Sequence, residues 1–244
     1  MPHHEDNDFS APAETHEFSA LLFDMDGTII DSTDAIIKHW HQLGEEIGVD
    51  GNEILKTSHG RRSIDVLRLL APEKATWDYV CQAEGLIPQK WGSSAVEIPG
   101  SRSLLARLES LKAPWAIVTS GTQPLVSGWL DVMKLSRPKV MVTAEEVALG
   151  KPDPACYRLG AERLGFRTLS EGEEILVLED APAGVMAGKA AGFKVLGLAT
   201  THTVEQLKEA GADWIVRDLE SVSAAKVDAK TGKVEVEIRD ALVR

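Results

Sequence analysis

The sequence predicts an α/β protein: a doubly wound, Rossmann-like parallel sheet with an α-helical cap inserted after the first core strand. Three observations carry that expectation. Short, wholly apolar runs recur along the chain and end in small polar or acidic residues, the pattern of strands buried on both faces of a parallel sheet. Stretches of helical periodicity lie between them. One segment, residues 33–97, breaks this alternation and reads as helix after helix. At 244 residues the chain has room for one large domain carrying such an insertion.

Residues 1–18 are expected to form a disordered acidic tail. The stretch is polar, contains Pro2 and Pro12, and carries Glu5, Asp6, Asp8, Glu14 and Glu17 without a Lys or Arg. Its His3 and His4 read as solvated rather than metal-binding. Order begins with the apolar run Ser19-Ala20-Leu21-Leu22-Phe23, too short for a helix, which leads into Asp24-Met25-Asp26-Gly27-Thr28. The cap follows as helical segments at 34–47, 52–57, 63–70 and 76–91, and Pro99-Gly100 marks the return to the core. The remaining strands are expected at 115–118, 140–142, 175–178, 194–198 and 214–216. The helices between them fall near 101–112, 122–134, 154–165, 181–191 and 203–210. Gly184, Gly188 and Gly192 recur every four residues, which puts small residues on one helix face and lets it approach the sheet closely. Lys226-Val227 and residues 233–238 flank Ala229-Lys230-Thr231-Gly232 as a terminal β-hairpin. The core is therefore assigned to 19–32 and 98–244, and the cap to 33–97.

Composition narrows the function. The formal net charge is −12, a poor match for nucleic acid or an anionic membrane, both of which need a basic footprint. No apolar run approaches the roughly 20 residues that span a bilayer. Cys81 and Cys156 form no C-x-x-C, which excludes a disulfide scaffold and a zinc ribbon. The chain starts without a basic, then apolar, leader, so the expected setting is cytoplasmic. A monomer acting on a small molecule is expected.

In an open parallel sheet, ligands bind beyond the C-terminal ends of the strands. Three strands deliver polar residues there: Asp24 and Asp26, then Thr119 and Ser120, then Glu179 and Asp180. A further loop carries Gly150-Lys151-Pro152-Asp153-Pro154. So many carboxylates, hydroxyls and a Lys converging on one edge mark a site rather than a solvated surface.

These motifs resemble those of the haloacid-dehalogenase-like phosphohydrolase superfamily. The matching stretches are F-D-M-D-G-T at 23–28, V-T-S-G at 118–121, G-K-P-D-P at 150–154 and L-E-D-A-P-A-G at 178–184. Thr57-Ser58-His59-Gly60-Arg61-Arg62-Ser63 in the cap resembles the S-H-G-x-R segment of one branch, the fungal glycerol-3-phosphate and 2-deoxyglucose-6-phosphate phosphatases. The resemblance implies an aspartyl phosphate on Asp24, which splits a very slow hydrolysis into two steps. It implies Mg²⁺ held by Asp24, the main-chain carbonyl of Asp26 and Asp180, with Glu179 nearby, because such a cation prefers oxygen ligands. Lys151, Thr119 and main-chain N–H groups around Met25, Asp26, Ser120 and Gly121 would hold the phosphoryl group.

Asp26 would protonate the leaving alkoxide and then deprotonate water. The metal and Lys151 would keep Asp24 ionised while Asp26 titrates higher. A halide leaving group needs no such acid, so Asp26 favours phosphatase or phosphomutase chemistry. The cap implies a small metabolite, with His59 and Arg62 reaching the substrate on closure and Arg61 solvated. The resulting expectation is a phosphatase of a small polyol or sugar phosphate, glycerol 3-phosphate first and 2-deoxyglucose 6-phosphate or another hexose phosphate next. A β-phosphoglucomutase-like phosphotransferase is the nearest alternative, and a non-catalytic ligand-sensing protein a further one.

Overall fold

The computed structural model of the protein describes residues 7–58 and 60–243, apart from the Thr57 side chain. Strands β1 (Glu14–Phe18) and β2 (Ala20–Phe23) are separated only by Ser19, yet they enter different sheets. β2 starts the core. β3 (Ile30–Asp31) leads into the cap helices α1 (Thr33–Ile47), α2 (Gly51–Ser58), α3 (Ser63–Leu70), α4 (Trp77–Gly85) and α5 (Ile87–Trp91). β4 (Val96–Glu97) leads out again and pairs antiparallel with β3. The chain then alternates through α6 (Ser101–Leu111), β5 (Trp115–Val118), α7 (Gln123–Met133), β6 (Val140–Val142), α8 (Ala155–Arg163), β7 (Ile175–Glu179), α9 (Pro182–Ala191), β8 (Lys194–Leu198), α10 (Val204–Glu209) and β9 (Trp214–Val216). A hairpin of β10 (Val222–Val227) and β11 (Val234–Ile238) follows.

The main sheet is six parallel strands in the order β6-β5-β2-β7-β8-β9, with β2 near its middle. The two-residue period of a strand sorts its side chains. Leu21, Phe23, Ile117, Leu176 and Leu178 face the layer that contains Leu104, Leu108 and Trp129. Leu22, Ala116, Val118, Val177 and Val195 face the layer that contains Tyr157, Val185 and Leu207. Helices thus cover both faces, which is why the strands read as unbroken apolar runs. The cap has a separate small core around Trp40, Leu43, Ile64 and Leu67. No helix among the described residues is long and apolar enough to cross a membrane.

The structure corrects the expected disordered tail over residues 7–18. β1 pairs antiparallel with β11 and completes a three-stranded sheet, and Phe18 is fully buried. The preceding segment is tied down by Ala11 N–H to Ala241 O at 3.0 Å and Val243 N–H to Asp8 O at 2.8 Å. The polar composition reflects a strand at a sheet edge, held by main-chain bonds that composition does not register. His16 packs its ring 4.8 Å from that of Trp214, whose indole N–H donates to Glu14. Residues 1–6, with His3 and His4, lie outside the described residues.

Three smaller differences have local causes. The helix expected over 76–91 is two, because Pro88 has no N–H to continue the ladder and instead sits in the first turn of α5. β10 begins four residues earlier than expected, its pattern hidden by a register shift between Ala224 and Lys226. Gly184 and Gly188 do lie against Glu179 and Val195, but Gly192 is a left-handed helix end with φ of 91° and open space around it.

Candidate active site

β2 ends one residue before Asp24, and the chain turns back at once. Met25 O accepts from Ile29 and Ile30 N–H at 2.9 and 3.1 Å, and Gly27 N–H donates to Ile30 O at 2.7 Å. Gly27 takes φ of 90°, and a Cβ there would stand 2.2 Å from Asp180 Oδ2. Only glycine permits both the turn and the approach of the β7 loop. Ser32 Oγ donates to Asp26 Oδ1 at 2.5 Å, which fixes the second carboxylate of the motif.

Lys151 crosses from the loop before α8 to lie between two carboxylates. Its Nζ is 2.5 Å from Asp24 Oδ1 and 2.6 Å from Glu179 Oε1, and donates to Val118 O at 3.3 Å. Glu179 is held on all sides. Tyr157 OH donates to its Oε1 at 2.9 Å, and the N–H groups of Asp180 and Ala181 donate to its Oε2 at 3.0 Å. A Cβ on Gly184 would overlap Glu179, so α9 can start this close only with glycine there. Asp180 accepts from Thr28 Oγ1 at 3.2 Å and from Thr201 Oγ1.

Asp24, Glu179 and Asp180 bring carboxylate oxygens within 4.8 Å of one another. All three are buried, with the ammonium of Lys151 between two of them. Burial pushes the Asp24 carboxyl well above its usual range; Lys151 pulls it back, and Glu179 and Asp180 push it up again. Asp180 is pushed up to about 7, by burial first and then by Glu179. Burial alone would lower Lys151, but Asp24 and Glu179 hold it above the usual lysine range. Lys151 thus acts on Asp24 in the expected direction, towards the ionised form, against the larger opposing effect of burial. Hard oxygen donors with surplus negative charge fit a hard divalent cation.

Asp24, Asp26, Thr119, Ser120, Gly121, Lys151, Glu179 and Asp180 all line one cavity of about 100 Å³ beneath the cap. Thr119 Oγ1 accepts from Gly121 N–H at 3.0 Å, and Ser120 Oγ donates to the cap carbonyl of Gly60 at 3.1 Å. Met25 is fully buried in the core and does not line the cavity, so its side chain is packing. His59 lies outside the described residues.

Of the two cap arginines, Arg61 is exposed as expected and Arg62 is placed otherwise than the sequence reading has it. Arg61 is exposed on the cavity rim, whereas Arg62 is absent from the cavity wall and 3% exposed. Arg62 Nε and Nη2 donate to Asp65, Nη1 donates to the carbonyls of Ala144 and Val147, and Nη2 also reaches that of Ala148. A buried guanidinium must find acceptors for its five donors, and the irregular chain after β6 supplies them. Arg62 is thus a clamp between cap and core.

Sequence reasoning missed Tyr157, Ser32, Thr201 and Glu84. Glu84 carried a signal: it stands four residues after Val80, on the buried face of α4. Tyr157 carried none, since an aromatic residue on a buried helix face reads as core.

A family model described as haloacid dehalogenase-like hydrolase matches residues 21–198. The chain is 41% identical over 231 residues to glycerol-1-phosphate phosphohydrolase 1 of Saccharomyces cerevisiae, a match covering 93% of this chain and 92% of that one. It is 39% identical over 227 residues to 2-deoxyglucose-6-phosphate phosphatase 1 of the same yeast, covering 86% and 92%. The crystal structure of a hydrolase from Pseudomonas syringae superposes with a TM-score of 0.68 at 23% identity, covering 82% and 94%, which is a likeness of fold.

Proposed function

The chain belongs to the haloacid dehalogenase-like hydrolases, and we propose that it is a Mg²⁺-dependent phosphatase of a small polyol phosphate, glycerol phosphate before hexose phosphate. The observation that carries the reading is the placement of Asp24 and Asp26 at the floor of a small capped cavity, with Lys151 Nζ 2.5 Å from Asp24. The yeast relatives, whose names give glycerol and deoxyhexose phosphates as substrates, support the substrate class.

Asp24 attacks phosphorus and carries the phosphoryl group as an aspartyl phosphate. Asp26, steadied by Ser32, gives a proton to the leaving alkoxide and later takes one from the attacking water. Lys151 and Thr119 hold phosphoryl oxygens, and Glu179 with Tyr157 holds Lys151. Asp24, Asp180 and the Asp26 carbonyl would hold Mg²⁺, which supplies positive charge to the transferring group when bound. Glu179, with both oxygens already engaged, positions Lys151 in preference to binding the cation. The cap excludes water from the cavity and buries the alcohol.

A panel of phosphate monoesters assayed with Mg²⁺ tests the reading. Release of free phosphate from glycerol phosphate, abolished in Asp24→Asn, is the expected result. An isomerised sugar phosphate would assign a mutase, and wild-type activity in Asp24→Asn would remove the mechanism.

A further inference from the structure

We propose that Glu84, together with Ser58, recognises the hydroxyl groups of the leaving alcohol and so sets the preference for a polyol phosphate. The inference rests on the phosphatase reading above and extends it by naming the side chains that read the alcohol.

The core supplies what the phosphoryl end requires. The other end of the cavity is covered by the cap, where Ile36, Trp40 and Ile87 present mostly carbon. Three buried polar side chains of the cap, His39, Ser58 and Glu84, interrupt that apolar cover, and the His39 ring already packs against those of Trp40 and Trp91. Glu84 is 4% exposed and lines the cavity with Asp26. Its Oε1 accepts from Ser63 Oγ at 2.5 Å, and its Oε2 accepts from Thr122 N–H at 2.7 Å. A carboxylate offers about four acceptor sites, so each oxygen keeps capacity for one further donor. The two donors come from the cap and from the core, which fixes the carboxylate before any substrate arrives.

Ser58 is 5% exposed and lines the same cavity, and its Oγ has no hydrogen-bond partner among the described residues. A buried hydroxyl left unpaired is destabilising until a partner arrives. Glu84 accepts and Ser58 both donates and accepts, a set that suits the hydroxyls of a polyol. An alcohol without those hydroxyls leaves both groups unpaired, and this asymmetry lets a polar site reject an analogue far more strongly than an apolar pocket can.

Kinetics on glycerol 3-phosphate and propyl phosphate, which share a phosphoryl group and chain length but differ in hydroxyls, provide the test. Wild-type protein should prefer glycerol 3-phosphate. Glu84→Gln and Ser58→Ala should each lower the ratio of the two kcat/KM values by about tenfold or more. Ser58→Ala removes an atom without a described partner, so that variant stays informative even if Glu84→Gln folds poorly. A ratio unchanged in both variants, or a wild-type protein that hydrolyses both substrates equally, overturns the proposal. Absence of phosphate release from every monoester of the panel overturns the phosphatase reading instead, so the two failures are distinct.

Discussion

Tyr157 donates its hydroxyl, at 2.9 Å, to the same Glu179 oxygen that holds the Lys151 ammonium at 2.6 Å. Lys151 Nζ also lies 5.0 Å from the centre of the Tyr157 ring. One tyrosine therefore steadies the lysine both through a carboxylate and through its own π face. Tyr157→Phe keeps the ring and removes the hydrogen bond. A bond to a charged group is worth about 1.5–3 kcal/mol. Part of that should surface as a kcat about tenfold lower, with KM changed less, because Lys151 is held less firmly during phosphoryl transfer. Steady-state kinetics check it, and an unaltered kcat would mean that Glu179 is positioned well enough by main-chain N–H groups alone.

Arg62→Ala should lower kcat/KM equally for glycerol phosphate and for an aryl phosphate, since the guanidinium joins cap to core and does not line the cavity. It should also destabilise the protein by about 3 kcal/mol, because the Ala144, Val147 and Ala148 carbonyls lose their donor. Arg62→Lys should rescue little, as one ammonium cannot replace a planar fork bound on two sides. Urea unfolding together with kinetics on the two substrates measures both effects, and a selective loss on glycerol phosphate would return Arg62 to the substrate.

Glu84 sets a pH dependence of stability. Burial raises its carboxyl from 4.5 to about 7. The folded protein therefore holds this proton more tightly than the unfolded chain does. The contribution is fully present below pH 4.5 and is lost as pH rises through 7, roughly 3 kcal/mol in all. Glu84→Gln lacks this loss. The difference in unfolding free energy between the variant and wild type should shift in favour of the variant between pH 5 and pH 7.5. Urea titrations at the two pH values check it, and a constant difference would show that Glu84 keeps its ordinary pKa.

Mg²⁺ should stabilise the protein in the absence of substrate. Ionising Asp24 and Asp180 in place is opposed by burial and by the neighbouring carboxylates, and a bound cation would offset that opposition. At about a hundredfold excess over the dissociation constant the gain is about 2.7 kcal/mol. Thermal unfolding with EDTA and with Mg²⁺ should separate the two states, and Asp180→Asn should abolish the difference. An equal response in that variant would move the ion elsewhere.

The parallel sheet was legible because burial on both faces leaves strands such as Ala20–Phe23 and Ile175–Glu179 almost wholly apolar until the polar residue that ends them. The floor of the site was legible for the same reason, since Asp24, Thr119 and Asp180 each stand just beyond such a run. β1 was not, because an edge strand held by main-chain hydrogen bonds leaves a weak side-chain pattern, and here Phe18 alone faces the core. The cap arginines were ambiguous because adjacent residues entering a helix point in very different directions. Arg62 is buried between cap and core and Arg61 is exposed on the cavity rim, a distinction that residue type does not make. The places of Glu84 and Ser58 on the cavity were hidden because that cavity arises only where segments distant in sequence meet.

The pairing of Ile30 with Glu97 and Asp31 with Val96 fixes the two chain crossings of the cap side by side. Strands paired in this way stand about 5 Å apart. The whole insertion therefore begins and ends at nearly one point on the core. A segment whose ends coincide can be lengthened, shortened or exchanged without pulling any strand of the six-stranded sheet out of register. An exchange of the insertion would thus leave the strands below it undisturbed, and what it would have to rebuild are the bonds that tie cap to core, those of Arg62 to the Ala144 and Val147 carbonyls and of Glu84 to Thr122 N–H.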